Sequence, residues 1–245
     1  MLKRFVTVFV CLTMAFALGS CKKKTGSTRT PDPNAPVEGV EKVKPAPGTG
    51  NVQGKVLYNN APVEGIEVRL CETFSRFLSG CGGQKYTAKT DKDGDFVITN
   101  VPPKEYEGLT VRVFDTDSYV FATTGIAGIA ASKYNVEADK TLFVRPTHLF
   151  KGDLKVLNPK AGSTVSGQDL ELKWEDYPAA AYYKFTLYPD DHQITPPYMN
   201  ERVDGATFKV NKTLEKGTYR YQVEAYNSDD RKLSETPEDI RFTIN

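Results

Sequence analysis

Polar and apolar residues exchange places every second position along most of this chain. Ile66, Val68 and Leu70 alternate with Glu67 and Arg69, Leu170, Leu172 and Trp174 alternate with Glu171 and Lys173, and Tyr219, Tyr221, Val223 and Ala225 make the longest such run. Successive side chains of an extended strand point to opposite faces, so each run predicts a strand with one buried side. The runs are short and are separated by turn residues, among them Asn59-Asn60-Ala61-Pro62 and Asp91-Lys92-Asp93-Gly94-Asp95. From Asn51 onward the first series holds Val52, Val56 and Tyr58, then Ile66 to Leu70, Tyr86 and Ala88, Phe96 and Ile98, and Leu109, Val111 and Val113. Weaker candidates follow at Tyr119 to Thr123, Lys133 to Glu137 and Thr141 to Arg145. A second series begins at Leu154 and includes Tyr183, Phe185 and Leu187, then Phe208 and Val210, and closes on Ile240, Phe242 and Ile244. The pattern predicts an all-β protein of two tandem β-sandwiches, residues 51–150 and 151–245, each of about seven strands.

The segment ahead of the first strand reads differently. Lys3 and Arg4 precede an apolar run from Phe5 to Leu18, too short to span a bilayer comfortably but suited to an export leader. Leu18-Gly19-Ser20-Cys21 then resembles the lipobox of bacterial lipoproteins. The resemblance implies a lipoprotein signal peptide over residues 1–20, cleaved before Cys21. It further implies a diacylglycerol on the Cys21 sulfur and an added acyl chain, such as palmitate, on its amine, so that the protein meets the membrane through its lipid. Two or more chains hold a protein stably where one does not, at about 0.8 kcal/mol per buried CH2. Residues 21–50 carry five prolines and only Val37, Val40 and Val43 as isolated large aliphatic residues, a composition that predicts a lipidated, disordered tether. Lys22, Lys23 and Lys24 suit anionic headgroups. An aspartate directly after the cysteine, or an early acidic cluster, redirects some lipoproteins, and neither is present. By that resemblance the expected location is the cell envelope, at the outer membrane, with the periplasmic face favoured over the surface. Lysine and arginine total 32 against 31 aspartate and glutamate, a near-neutral balance that gives no reason to expect nucleic acid as a partner.

Of the four cysteines, Cys11 lies in the leader and Cys21 takes the lipid, which leaves Cys71 and Cys81. In an exported compartment an even pair predicts a disulfide, contributing about 2.5 to 3 kcal/mol on the chain-entropy model. Two free thiols and metal ligation are the alternatives, the latter without a nearby histidine or third cysteine to support it. The loop they close carries Phe74, Phe77 and Leu78, which either pack onto the sandwich or form a contact loop for a partner.

Two stretches resemble known modules. Gly54-Lys55-Val56, Pro62 to Leu70, Thr90 to Phe96, and Val101-Pro102-Pro103 with Tyr106 resemble the carboxypeptidase regulatory-like module, which implies a transthyretin-like sandwich with an accessory, non-catalytic role. The family's proline and glycine before the tyrosine are replaced here by Pro103-Lys104-Glu105, and the cysteine loop is an insertion. The second half resembles a fibronectin type III domain, on the lone Trp174 and on Leu214 with Gly217-Thr218-Tyr219. That implies a core tryptophan and a tyrosine whose hydroxyl bonds the preceding chain. Thr218 and Tyr219 are adjacent where the family usually separates them by one residue.

Catalytic patterns are sparse. His148 and His192 fall in different predicted sandwiches, and no nucleophile elbow, zinc-protease or phosphate-loop motif occurs. Asp91, Asp93 and Asp95 have the spacing of half a calcium loop, but position 102, where a glutamate would close it, is Pro102, so a hairpin turn with Gly94 at positive φ fits better. No cofactor or metal is expected. Tyr182 and Tyr183 are neighbours, so with Tyr183 in the core Tyr182 faces out, where Tyr188, Tyr198 and Tyr226 either join it in an aromatic strip or cap the core. The expected role is therefore lipid-anchored binding or scaffolding without catalysis, with an envelope protein as partner. A carbohydrate-binding or adhesive accessory that recognises a glycan is the alternative, and a hydrolase a more distant one. The variant Cys21→Ala is expected to leave the detergent phase in a phase-partition assay; retention there at the parent level would refute the lipid anchor.

Overall fold

In the computed structural model, which describes residues 37–75, 80–124, 130–190 and 195–245, every regular element among the described residues is a strand. The strand Gly50–Tyr58 is central to the first half. It pairs antiparallel with Asp95–Val101 and with Ala61–Pro62, and parallel with Thr141–Phe143 and Thr147–His148, in one five-stranded sheet. Facing it is a four-stranded antiparallel sheet in the order Gly80–Lys89, Glu67–Ser75, Leu109–Arg112, Tyr119–Phe121. The alternation sends Val52, Val56, Val68, Leu70, Phe96, Ile98 and Val111 inward to a shared core. Lys104–Glu107 pairs with Lys133–Val136 beside it and contributes Tyr106, Tyr134 and Val136 to the same cluster.

The second half repeats the plan. A six-stranded sheet runs Thr164–Val165, Ile240–Ile244, Gly217–Tyr226, Tyr182–Pro189, Tyr198–Val203, with Lys232–Glu235 also paired to Gly217–Tyr226. Val156–Asn158, Glu171–Trp174 and Thr207–Lys209 make the second sheet. Trp174, Tyr183, Phe185, Tyr221 and Phe242 fill the space between, with Trp174 tilted against Tyr183 at 5.5 Å between centroids. Both halves are thus β-sandwiches, but they are more finely divided than seven strands apiece. Among the described residues, thirteen strand segments lie between Gly50 and His148 and nine between Val156 and Ile244. Pro146, which has no N–H to give a ladder, falls between Thr141–Phe143 and Thr147–His148.

Each half contains a tyrosine that ties a strand to the turn before it. The Tyr219 hydroxyl donates to the Glu215 carbonyl at 3.1 Å and the Tyr106 hydroxyl to the Pro102 carbonyl at 2.9 Å, both four residues upstream. A single buried hydroxyl thereby fixes the path of a loop that has no ladder of its own.

Residues 37–50, grouped with the tether by composition, are held against the first sandwich. The side-chain amides of two buried residues do this work: Asn51 Nδ2 donates to the Val43 carbonyl, while Gln53 Nε2 donates to the Val40 carbonyl and Gln53 Oε1 accepts from the Lys42 amide. Pro45 is buried, and a Cβ on Gly39 would stand 2.3 Å from the Phe143 ring. Two polar side chains facing the segment from the sheet replace the apolar residues that composition found missing.

The two sandwiches meet at a polar junction. Asn59 and Asn60, at φ 47° and 63°, are the centre of a hairpin turn of the kind that requires positive φ at both positions. Their side chains then reach the second half, where Asn227 Nδ2 donates to Asn59 Oδ1 at 2.8 Å and Asn60 Nδ2 donates to Asp229 Oδ2 at 2.6 Å. The Tyr58 and Tyr177 hydroxyls lie 3.3 Å apart, and the Tyr177 hydroxyl donates to Asp153 Oδ1 at 2.8 Å.

Replacing the buried Trp174 by alanine is expected to cost about 3 to 5 kcal/mol by leaving a cavity, and Tyr219→Phe about 1 kcal/mol by stranding a carbonyl. Denaturant titration of both variants checks the ordering, and a Tyr219→Phe loss as large as that of Trp174→Ala would refute it.

Candidate functional site

The outward face of the four-stranded sheet carries a groove, and its composition follows from the same alternation that fills the core. With Val68 and Leu70 turned inward, Glu67 and Arg69 face out, and Tyr119 and Phe121 face out on either side of Val120. Register then aligns the outward positions. Thr87, Arg69, Thr110 and Phe121 form one row across the sheet, while Lys89 pairs with Glu67 and Arg112 with Tyr119 in the neighbouring row. Phe74 closes one end, its ring 4.6 Å from that of Phe121. The resulting cavity is about 250 Å³ and includes Lys85 and Cys81 on its rim.

The electrostatics are one-sided. The Arg69 guanidinium bonds the Glu67 carboxylate and lies 4.5 Å over the Tyr119 ring, so its charge is shared with an acid and an aromatic face. Arg112 sits 3.7 Å from Asp117. Lys85 and Lys89 on the same face have no ion-pair partner among the described residues and are exposed. An aromatic floor beside unpaired ammonium groups suits an anionic ligand with a flat or apolar part.

Cys71 and Cys81 form a disulfide with their Cα atoms 5.3 Å apart. The described residues of the expected loop between them, 72–75 and 80, are strand. Phe74 pairs directly with Cys81 and Ser75 with Gly80, so the hairpin ladder runs on through the insertion past a register shift between Cys71 and Thr73. Phe74 is half-buried, packed on Phe121 and against Gly108, where a Cβ would come within 2.8 Å of the Phe74 Cβ. Phe77 and Leu78, like Cys21, where the lipid is expected, and His192, lie outside the described residues. Arg69, Lys85, Tyr119 and Phe121 were not singled out from sequence, although their outward parity in the alternation marks them.

The tyrosines do not form a flat exposed strip. Tyr182, expected to face out, is only 3% exposed, because its ring stacks on Tyr226 at 5.1 Å and is covered by Arg202 at 3.8 Å. Its hydroxyl donates to Asp230 at 2.7 Å, and burial, with that carboxylate, pushes its pKa up to about 12. Tyr198 is a core residue, its hydroxyl donating to Asn211 Oδ1 and accepting from the Asn211 and Lys212 amides. Outward parity therefore left Tyr182 covered by long cationic side chains.

The Asp91 to Asp95 turn is organised by ammonium groups. Gly94 has φ 73°, and Asp91 Oδ1 accepts from the Asp93 and Asp95 amides. Lys42 Nζ, from the docked segment, lies 2.8 Å from Asp91 and 2.6 Å from Asp95, and Lys55 reaches Asp95 at 3.0 Å. Among the described residues no group of three or more histidine, cysteine or acidic residues is placed to hold a metal. His148 has no partner for Nδ1, and burial, followed by the charge of Arg231, lowers its pKa.

No family model and no curated protein matches the chain. Among solved structures it is similar to the fibronectin(III)-like modules of Clostridium thermocellum CbhA, at 21% identity over 38% of this chain and 94% of that one, with a TM-score of 0.28. It is also similar to the full-length major pilin SpaD from Corynebacterium diphtheriae, at 10% identity over 80% of this chain and 64% of that one, with a TM-score of 0.29. The FN1–FN3 domains of chicken CNTN1 match at 11% identity over 82% and 69% of the two chains, with a TM-score of 0.30.

The Lys42 clamp sets a pH dependence for the docked segment. Hydrogen bonding from Lys42 holds the Asp91 carboxyl below its ordinary value. Burial pushes Asp95 upward, but hydrogen bonds from Lys42 and Lys55 outweigh it and the net shift is again downward. Both carboxylates therefore favour the docked state above the ordinary aspartate value near 3.8, and that contribution disappears as pH falls below it. Lys42 is shifted upward by the same two carboxylates, so its share persists below 10.5 and is lost only as pH rises beyond it. The Lys42 and Val43 amide resonances are expected to move toward random-coil positions in an acid titration below about pH 3.8, and Lys42→Ala should show those positions at neutral pH. Unchanged resonances in Lys42→Ala would exclude the clamp.

Proposed function

We propose that this chain is a lipid-anchored cell-envelope protein with a non-catalytic binding or scaffolding role, tethered through Cys21 to the periplasmic face of the outer membrane. On this reading the first sandwich is a carboxypeptidase regulatory-like module, supported by the Asp91–Gly94 turn and the Tyr106 hydroxyl bond. The second is fibronectin type III-like, supported by the core position of Trp174 and the corner made by Tyr219. The observation that carries the binding role is the groove: Phe74, Tyr119 and Phe121 lie on the outward face of a sheet, beside the unpaired ammonium of Lys85. Aromatic side chains left half-open in a concave surface are the usual anchors of a protein contact. The groove occupies the sandwich nearer the anchor in sequence, where an envelope protein partner would meet it.

Crosslinking in intact cells with and without Phe121→Ser tests this reading. Loss of one aromatic anchor is expected to reduce partner recovery about tenfold, at about 1 to 2 kcal/mol, while Lys216→Glu on the second sandwich leaves it unchanged. An unaltered unfolding midpoint for Phe121→Ser shows that the sandwich is intact. Undiminished recovery, or capture of a polysaccharide in place of a protein, would overturn the proposal.

A further inference from the structure

We infer that the free edge of Gly80–Lys89 docks an acidic, extended segment of a partner protein, which pairs with it as a fifth strand of the sheet. The inference rests on the reading above, that this side of the first sandwich meets a protein partner, and it supplies the partner's chemistry.

Gly80–Lys89 is the terminal strand of its sheet and is ten residues long. It pairs with Glu67–Ser75 on one side, and no described strand pairs with the other. An edge of that length presents a row of main-chain donors and acceptors to any extended chain of suitable side chains. A register shift opposite Glu72, with Gly83 at φ 65°, divides the edge. Beyond it the five residues Lys85–Lys89 run in regular register against Cys71 to Glu67, and these are the template.

Side-chain parity selects the occupant. Lys85, Thr87 and Lys89 are exposed on the outer face, whereas Tyr86 and Ala88 are half-buried against the rim of the core. A strand added alongside would set one series of its residues beside the two lysines and the other beside Tyr86 and Ala88. Cross-strand neighbours of opposite charge attract and like charges repel, so the first series is acidic; the second is small and apolar. A second copy of this edge paired antiparallel about Thr87 is disfavoured, since it would set Lys85 against Lys89. A polysaccharide could meet the ammonium groups but has no peptide ladder to offer the edge. The lysines thus guard the edge against self-pairing and admit an acidic chain.

The test uses the full-length chain in detergent micelles and a blocked peptide of about ten residues alternating glutamate and valine. Binding is expected at low ionic strength, with slowed amide exchange confined to Gly80–Lys89. The variant carrying both Lys85→Glu and Lys89→Glu should bind about tenfold more weakly or worse. The same peptide N-methylated at alternate residues keeps its charge but loses its ladder donors, and it is expected not to bind; nor is a lysine–valine peptide. Equal binding of the N-methylated peptide would overturn the inference by reducing it to charge. So would perturbation of Lys85 and Lys89 by polygalacturonate and not by the peptide, or self-association through this edge. Failure of the glutamate–valine peptide, with Phe121→Ser still losing its cellular partner, overturns the edge and leaves the groove standing.

Discussion

Gly50–Tyr58 is the strand on which the packing of the rest depends. It is hydrogen-bonded on both edges, and it holds a different neighbour at each point of its length. A Cβ on Gly50 would lie 2.4 Å from Val136, and one on Gly54 would lie 2.5 Å from Val144 and 2.8 Å from the Phe96 ring. Those contacts are possible only because glycine leaves the space empty. Between the glycines, Val52 is fully buried while Asn51 and Gln53 turn their amides to the segment before them. At its far end Tyr58, and Asn59 and Asn60 in the turn beyond it, contact the second sandwich. One strand therefore carries the core, the docked segment and the junction. A substitution at Gly54 would push against both the strand Asp95–Val101, through Phe96, and the link after Thr141–Phe143, through Val144.

The core was legible in the sequence because burial there is periodic. Ile66 to Leu70, Leu170 to Trp174 and Tyr219 to Ala225 alternate in sequence and alternate in exposure. What alternation cannot register is an edge. Tyr198–Val203 pairs along one side of Tyr182–Pro189, yet Met199, Asn200, Glu201 and Arg202 are all exposed, so no apolar rhythm announces it. Lys104–Glu107 holds one buried side chain, Tyr106, and is likewise too short to show a period. The docked residues 37–50 escaped for a different reason. Their attachment is made by the amides of Asn51 and Gln53 and by Lys42, each of which reads as an ordinary polar residue until its partner is placed 8, 13 or 49 positions away. Parity placed Arg69, Lys85, Tyr119 and Phe121 on the outer face, but only the register of Glu67–Ser75, Gly80–Lys89, Leu109–Arg112 and Tyr119–Phe121 brings them together.

Charge is used differently at three places on this near-neutral chain. At the Asp91 turn two ammonium groups satisfy two carboxylates, and exposure to solvent keeps the energy of such contacts small even though they fix geometry. On the Tyr182 and Tyr226 stack, Arg202 and Lys184 lie over aromatic faces, which hides the rings from solvent without burying the charges. On the four-stranded sheet, by contrast, Lys85 and Lys89 form no ion pair among the described residues, the Glu67 carboxylate opposite Lys89 being bonded to Arg69. A pair already neutralised has little left to offer a ligand, whereas an unpaired cation beside an aromatic floor has both a charge and a surface to contribute. The Tyr182 and Tyr226 stack, by comparison, has both rings under its own cations, Arg202 and Lys184.

On the proposed anchoring, docking of residues 37–50 would also limit where that groove can sit. With the proposed lipid on Cys21, fifteen residues, 22–36, separate the anchor from the docked segment, and a chain of that length reaches at most about 50 Å. A tether running to residue 50 would have allowed roughly twice that extension. The amides of Asn51 and Gln53 thus do more than finish a sheet: they capture the preceding segment, which on the proposed lipid anchoring would bring the first sandwich closer to the membrane. The linker from Leu149 to Leu154 is itself bonded to both halves, Leu149 to Leu57 and Lys151 and Leu154 to Leu233 and Glu235, so the second sandwich does not trail on a free chain. A partner held in the groove would meet a tandem of sandwiches joined by hydrogen bonds, and on the proposed anchoring the reach of the complex would be set by those fifteen residues.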